Sequence, residues 1–110
     1  GKTSYHAGID LAAPSGSPVY ACAAGTVAET AYSNIYGNYI IIRHEDGRES
    51  LYGHLSKVRI RLYEKVKSGT IIGNVGSTGL STGPHLHFEV REQGKAKDPA
   101  LFIDTKKAKK

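Results

Sequence analysis

The segment at residues 83–90, Gly-Pro-His-Leu-His-Phe-Glu-Val, constrains the fold most strongly because polar and apolar side chains alternate along it. Side chains of an extended chain point alternately to opposite faces. One face therefore carries the polar side chains of His85, His87 and Glu89. The other face carries apolar side chains, those of Leu86, Phe88 and Val90. This pattern predicts a half-buried β-strand over 85–91 that presents two imidazoles on its polar face.

The remainder of the chain also has the pattern of short strands joined by tight turns. It contains 13 glycines and frequent short β-branched runs, and no segment has a helical period over eleven or more residues. We therefore predict an all-β domain. Asp46-Gly47 is a strong hairpin-turn signal, and the three consecutive isoleucines within 38–44 indicate a strand buried on both faces. The predicted strands are 19–24, 26–30, 38–44, 48–55, 70–75 and 85–91, with a loop and short strand within 57–67 and a short helix over 100–103.

The net charge is concentrated at one end of the chain. It is +5 overall, but 106–110 holds four lysines, which leaves 11 basic and 10 acidic residues over 1–105. We expect one domain over 1–105 and a disordered basic tail over 106–110 that contacts anionic polymers. Because residues 1–105 are nearly neutral, the sequence does not favour nucleic-acid binding. Since the chain contains no methionine, residue 1 is not expected to be a translation start, and the chain is either processed or cut from a longer protein.

Three further function classes fit the sequence poorly. Apolar runs of four or five residues are far too short to span a membrane. The single cysteine, Cys22, lies among small apolar neighbours and is expected to be a small buried hydrophobe rather than a nucleophile. A lipoyl- or biotinyl-carrier domain would place a modified lysine at a hairpin tip, where this chain has Asp46-Gly47.

Residues near the amino end supply candidate metal ligands. In extended chain the Cα atoms of His6 and Asp10 would lie roughly 13 Å apart, too far for two ligands of one ion unless the chain bends at Ala7-Gly8. By itself the pair is better explained as flanking a loop. Combined with His87, it makes a group of two histidines and one carboxylate. Three protein ligands and one open position are typical of catalytic zinc, so we predict one Zn²⁺ per chain.

Three motifs occur in order: HAGIDLAAP at 6–14, YGHLS at 52–56 and GLSTGPHLHFE at 79–89. Together they resemble the lysostaphin-like (LytM-type) zinc metallopeptidases, and the linking segments extend this resemblance over nearly all of residues 5–103. It implies the lysostaphin-type peptidase fold: an antiparallel β-sandwich or barrel-like sheet core, related to the barrel-sandwich hybrid, with glycine-rich turns and an active-site groove.

The resemblance also implies roles for five residues. The zinc ligands would be His6, Asp10 and His87, while His54 and His85 would activate water and stabilise the transition state. The family cleaves stem peptides or cross-bridges of bacterial peptidoglycan. We therefore expect residues 1–105 to be a single metallopeptidase domain, the C-terminal catalytic piece of a longer protein. It would act as a monomeric endopeptidase on peptidoglycan in the bacterial envelope, periplasmic or extracellular, or be carried by a phage. The basic tail over 106–110 would contact anionic envelope polymers.

The closest alternative is a non-catalytic relative that binds the envelope or activates another hydrolase. Such relatives usually lose one or more ligands, whereas all five expected positions are present here. Activity is therefore the better interpretation.

Several neighbouring side chains have two interpretations. Glu89 shares the face of His85 and His87, and would either orient a ligand or face solvent. Tyr52 shares the face of His54 by strand alternation and is predicted to line the groove. Three further residues would either form the groove rim or pack beside a glycine bend: Tyr36, Asn38 and Tyr39. His44 is expected to be a surface or packing histidine.

Overall fold

A computed structural model describes residues 8–92 of the chain and the backbone of residues 95–97. These residues form β-strands and no helix, which confirms the predicted all-β class. No helix in this part of the chain could cross a membrane. The strands are β1 (Gly8–Ala12), β2 (Pro18–Tyr20), β3 (Gly25–Ser33), β4 (Gly37–His44), β5 (Arg48–Val58), β6 (Lys65–Val66), β7 (Ile71–Val75), β8 (His85–Glu92) and β9 (Lys95–Lys97).

The observed strands depart from the predicted ones mainly at their ends. β1 was not predicted as a strand, and it begins at Gly8. The bend expected at Ala7-Gly8 includes a residue outside the described residues. β2 stops at Tyr20 instead of continuing to residue 24, and its register with β7 shifts between Val19 and Tyr20. β3 and β5 run three residues further than predicted. The proposed helix over 100–103 and the lysine tail lie outside the described residues.

Within the described part of the chain, all strand pairs are antiparallel and belong to one continuous sheet of nine strands. Its main path runs β1-β8-β5-β4-β3-β6. Outside this path, β7 pairs with both β2 and β5, and β9 pairs with β8. β5 is therefore the central strand, and its neighbours determine where the site residues meet.

β5 changes partner partway along one edge. Residues 48–53 pair with β8, whereas the pairing with β7 begins at Leu55. His54 lies between these two stretches and has a φ of 63°, a left-handed conformation that is uncommon outside glycine. The backbone thus departs from regular strand geometry at the residue where β5 leaves β8.

The core is built from side chains of β2 to β8. Ile40, Ile41 and Ile42 are all buried, which confirms the prediction that this strand is covered on both faces. At about 25 cal/mol per Å² of apolar surface, burial of such side chains is the main stabilising contribution to the sheet. Five residues without exposed surface lie at its centre: Val27, Ile40, Ile42, Leu55 and Ile72.

Tyr52 belongs to this core, so the prediction that it lines the groove is wrong. It is 1% exposed, its ring lies 5.4 Å from that of Phe88, and its hydroxyl accepts a hydrogen bond from the Cys22 backbone nitrogen at 3.0 Å. The prediction assumed that Tyr52 and His54 share a face. The left-handed backbone at His54 breaks that alternation, which sends the two side chains to different faces.

Candidate metal and catalytic site

Asp10 and His87 are brought together by the pairing of β1 with β8. They are directly opposite each other in the antiparallel register, and opposite residues of such a pair project to the same face. Asp10 Oδ1 lies 2.8 Å from His87 Nδ1. Their hydrogen bond lowers the pKa of Asp10, against the opposing effect of partial burial. The fold thus joins two predicted ligands that are 77 residues apart in sequence.

Gly8 allows β1 to approach β8 closely. A methyl group at this position would lie 2.7 Å from the carbonyl oxygen of Phe88 and 2.8 Å from the His87 ring. Real Cβ atoms do not occupy such positions, so any larger residue would push the strands apart. The glycine is needed here for close contact, one of the general uses of glycine.

The second ring nitrogen of His87 faces Glu89. His87 Nε2 lies 2.8 Å from Glu89 Oε2. This hydrogen bond is the largest influence that raises the pKa of His87, and the contact with Asp10 adds to it, while burial opposes both. Carboxylates only accept, so both ring nitrogens of His87 donate in the metal-free protein. A metal would replace the Nδ1 proton, while Nε2 would still donate to Glu89.

Glu89 is buried and closely bound, so the interpretation that it faces solvent is wrong. It is 6% exposed. Its carboxylate accepts hydrogen bonds from His87, from the Tyr36 hydroxyl at 2.8 Å and from Arg91 Nε at 2.9 Å. Burial alone would raise its pKa, but these hydrogen bonds and the Arg91 charge lower it to about 2. Glu89 is therefore an ionised partner that orients His87.

His85 lies beside the Asp10–His87 pair. Its Nδ1 donates a hydrogen bond to the Gly83 carbonyl at 2.9 Å, and since a carbonyl only accepts, Nδ1 carries the proton. Nε2 lies 3.6 Å from Asp10 Oδ1. In its neutral form the ring therefore presents an Nε2 that can accept a proton next to the candidate ligands.

Backbone carbonyls of two other residues hold the main chain and the ring of His54. Its backbone nitrogen donates to the Tyr36 carbonyl at 2.6 Å, and its Nδ1 donates to the Thr78 carbonyl at 2.7 Å. The ring centroid lies 4.7 Å from that of His85 and 6.0 Å from that of His87. Burial lowers the pKa of His54, which favours a neutral imidazole with an accepting Nε2.

The Thr78 carbonyl that accepts from His54 lies in the segment between β7 and β8, which packs against Gly37 and Asn38 at the start of β4. The Thr78 hydroxyl donates to the Leu55 carbonyl at 2.8 Å and accepts from the Asn38 nitrogen at 3.1 Å. Gly37 and Gly79 both have positive φ, and a methyl group on Gly79 would overlap the Gly37 nitrogen. Close backbone packing of two glycines therefore fixes the position of the Thr78 carbonyl.

The two predicted ligands within the described residues, Asp10 and His87, have donor atoms that fit a metal. Zinc bonds to nitrogen and oxygen are about 2.0–2.2 Å long, so donors 2.8 Å apart, as Asp10 Oδ1 and His87 Nδ1 are, can reach one ion. Among residues 8–92, no group of three His, Cys, Asp or Glu side chains is arranged to hold a metal ion. The third predicted ligand, His6, lies outside the described residues.

Sequence reasoning missed two residues of this site. Arg91 follows His85, His87 and Glu89 at the same spacing of two, so strand alternation could have placed it on their face. Tyr36 was predicted only as a rim or packing residue, yet its ring stacks on that of His87 at 5.5 Å with an interplanar angle of 26°. No local pattern indicates that contact, because Tyr36 lies 51 positions away in a turn.

Comparison with known proteins identifies the class to which this fold and site belong. Residues 4–99 match Peptidase family M23. The chain therefore belongs to that family. Among curated relatives, peptidoglycan DD-endopeptidase ShyC of Vibrio cholerae is 40% identical over 99 residues, which is 90% of this chain and 23% of ShyC. The chain spans less than a quarter of the first relatives that it matches, 22% and 23% of their lengths.

Solved structures agree with this assignment. The catalytic domain of lysostaphin, an antimicrobial peptidase from Staphylococcus simulans, superposes with a TM-score of 0.87 at 38% identity, covering 94% of this chain and 82% of that domain. A zinc-containing peptidase from Vibrio cholerae superposes with a TM-score of 0.81 at 40% identity, covering 84% of this chain and 29% of that protein. The resemblance to lysostaphin-like peptidases and the predicted fold are both confirmed.

Proposed function

We propose that the chain is a zinc-dependent endopeptidase that hydrolyses peptide bonds in the stems or cross-bridges of bacterial peptidoglycan. The observation that carries the proposal is the Asp10–His87 contact with two further imidazoles beside it. Membership of a peptidase family supports the reaction class, and the name of the relative ShyC supports the substrate.

The proposed ligands of one Zn²⁺ are His6, Asp10 and His87. The ion would supply a Lewis acid that polarises the scissile carbonyl and acidifies water. The zinc-containing neighbour supports the choice of metal. From this chain, the Glu89 carboxylate keeps the His87 ring turned so that Nδ1 faces Asp10.

The proposed catalytic residues are His85 and His54. His85 Nε2 would accept a proton from the attacking water, because its Nδ1 is occupied by the Gly83 carbonyl. His54, kept neutral by burial, would accept the remaining proton of that water at Nε2 and donate it to the leaving amine, while His85 would pass the first proton to the same amine. Backbone carbonyls orient both rings, so neither ring must reorganise during the reaction.

Action on peptidoglycan places the proposed site of function at the bacterial cell envelope, periplasmic or extracellular, or on a phage that attacks it. We propose that the chain acts as a monomer, and that the basic tail contacts anionic envelope polymers.

The test compares zinc content and digestion of purified peptidoglycan for the wild type, His87→Ala and His85→Ala. We expect about one zinc per wild-type chain, loss of zinc and activity in His87→Ala, and loss of activity with zinc retained in His85→Ala. A folded wild type that binds zinc and cuts no peptidoglycan would favour the non-catalytic, hydrolase-activating alternative. A wild type that binds no zinc would exclude the metallopeptidase mechanism.

A further inference from the structure

Tyr36 contacts three residues of the site through three different groups. Its ring stacks on the His87 ring at 5.5 Å, its hydroxyl donates to Glu89 Oε2 at 2.8 Å, and its carbonyl accepts from the His54 nitrogen at 2.6 Å. One residue in the turn between β3 and β4 therefore touches a candidate ligand, the group that orients it and a candidate catalytic histidine.

The hydroxyl contact completes the coordination of the Glu89 carboxylate. Glu89 Oε2 accepts from both the Tyr36 hydroxyl and His87 Nε2, each at 2.8 Å. Oε1 accepts from Arg91 Nε at 2.9 Å, and Arg91 Nη2 donates to the Tyr36 hydroxyl at 3.3 Å. Tyr36 and Arg91 thus hold the carboxylate in place, so the Glu89 side chain cannot rotate away from His87 without breaking buried hydrogen bonds.

These contacts restrict the His87 ring in two directions. The Tyr36 ring covers one face of the imidazole and limits tilting. The Nε2 contact with Glu89 limits rotation of the ring within its plane. What remains is a ring whose Nδ1 faces Asp10 Oδ1, the orientation that the proposed metal site requires.

We propose that Tyr36 is a positioning residue that sets the orientation of His87 through Glu89, and thereby the metal affinity of the site. The inference rests on the proposed role of His87 as a zinc ligand. Groups that orient metal-bound histidines typically change metal affinity about 10- to 100-fold when they are removed. The Tyr36 hydroxyl lies one contact further from His87 than the Glu89 carboxylate does, so we expect its removal to have about a 10-fold effect, the lower end of that range.

Tyr39 provides a matched control. Its hydroxyl also donates to a carboxylate, Glu29 Oε2, at 2.6 Å, and its ring meets the Tyr36 ring edge-on at 5.7 Å. Glu29 makes no contact with His87 among those described. Tyr39→Phe therefore removes the same kind of hydrogen bond from the same region without touching the orienting carboxylate.

The first measurement is zinc affinity, by competition with a chromophoric chelator, for the wild type, Tyr36→Phe and Tyr39→Phe. Tyr36→Phe keeps the ring stack and the backbone contact with His54, so only the hydroxyl is lost. We expect zinc to bind about 10-fold more weakly to Tyr36→Phe and within about twofold of the wild type to Tyr39→Phe. Equal affinities for the two variants would overturn the proposal, whatever their melting temperatures.

A double-mutant cycle tests whether the effect passes through Glu89. It adds Glu89→Gln and the Tyr36→Phe/Glu89→Gln double variant to the affinity measurements. If Tyr36 acts through the carboxylate, its substitution should change zinc affinity by less than about twofold once Glu89 is replaced. Fully additive losses would overturn the route through Glu89, because they would indicate that Tyr36 affects zinc binding independently of the carboxylate.

A metal-free measurement separates this inference from the zinc proposal. Tyr36→Phe should shift the imidazole NMR signals of His87 in the metal-free protein, while Tyr39→Phe should leave them unchanged. The aromatic ring is kept in both variants, so a shift would report the changed hydrogen bonding. If the wild type had no zinc affinity, only the proposed function would be rejected. The His87 signals would then test the positioning role of Tyr36: a shift in Tyr36→Phe would support it, and unchanged signals would overturn it.

Discussion

Gly79 packs against Gly37 so closely that a single methyl group on Gly79 would overlap the Gly37 backbone nitrogen. This contact joins the segment before β8 to the turn before β4. It matters for the site because Thr78, next to Gly79, provides the carbonyl that holds His54 Nδ1 at 2.7 Å. The orientation of a candidate catalytic histidine thus depends on two residues without side chains.

Gly79→Ala should reduce peptidoglycan hydrolysis more than 10-fold while zinc stays bound. Alanine at a φ of 76° is strained by about 1–2 kcal/mol, and its methyl group must also displace Gly37 and with it the Thr78 carbonyl. Gly47→Ala is the control, because Gly47 has a φ of 90° and open space around it. It should lose similar stability and keep full activity. Equal activities in the two variants, at matched folded fractions, would contradict the role of this contact.

Gly8→Ala should weaken zinc binding by separating β1 from β8. Its methyl group would lie within 2.8 Å of the His87 ring and of Glu89 Cγ, so the Asp10–His87 pair must lengthen. The same substitution at Gly83, where a methyl group meets nothing within 4 Å, should leave zinc affinity within about twofold of the wild type. Isothermal titration of the two variants checks this expectation, and unchanged affinity in Gly8→Ala would refute it.

The Glu89 carboxylate should make the metal-free protein sensitive to acid. Its pKa in the fold is about 2, below the ordinary 4.5, so its ionised form favours the folded state. That stabilisation is complete above about pH 4.5 and is lost as the pH falls towards 2, an effect of at most about 3 kcal/mol. Urea unfolding in a chelating buffer should show this loss in the wild type and in Asp46→Asn, a surface control. It should be much reduced in Glu89→Gln, and identical pH slopes in all three proteins would contradict the expectation.

Tyr52 should limit stability at alkaline pH. Burial, followed by its contact with Cys22, raises the pKa of the Tyr52 phenol well above 10. The phenol in the unfolded chain ionises near pH 10, so stability is unaffected below that pH and falls above it, by about 1.4 kcal/mol per pH unit. Unfolding of Tyr52→Phe from pH 9 to 12 should follow a shallower slope than the wild type. Tyr63→Phe, which alters an exposed hydroxyl, should keep the wild-type slope, and a steep slope in Tyr52→Phe would refute the assignment.

Local pattern predicted the parts of the site that share one strand. The spacing of His85, His87 and Glu89 placed them on one face, and β8 carries them as expected. The same pattern extends to Arg91, so its place beside Glu89 was available from the sequence. Alternation works here because β8 is regular from His85 to Glu92, and period-two reasoning is valid in regular strands.

The same reasoning failed at His54 and Tyr52. Alternation puts them on one face, but the structure sends Tyr52 into the core and His54 to the histidine cluster. The left-handed φ at His54 is maintained by its bonds to Tyr36 and Thr78. Those partners come from other parts of the chain, so no window around residue 54 contains the cause.

The sequence alone determined the all-β class, the apolar and polar faces of the principal strands and the family resemblance, because these depend on residue type and on spacing along one segment. Only the tertiary structure decided that Asp10 lies opposite His87, that Gly79 packs against Gly37 and that the Tyr36 hydroxyl donates to Glu89. These contacts depend on the register between strands and on close packing of backbones distant in sequence, and both are fixed when the whole sheet assembles.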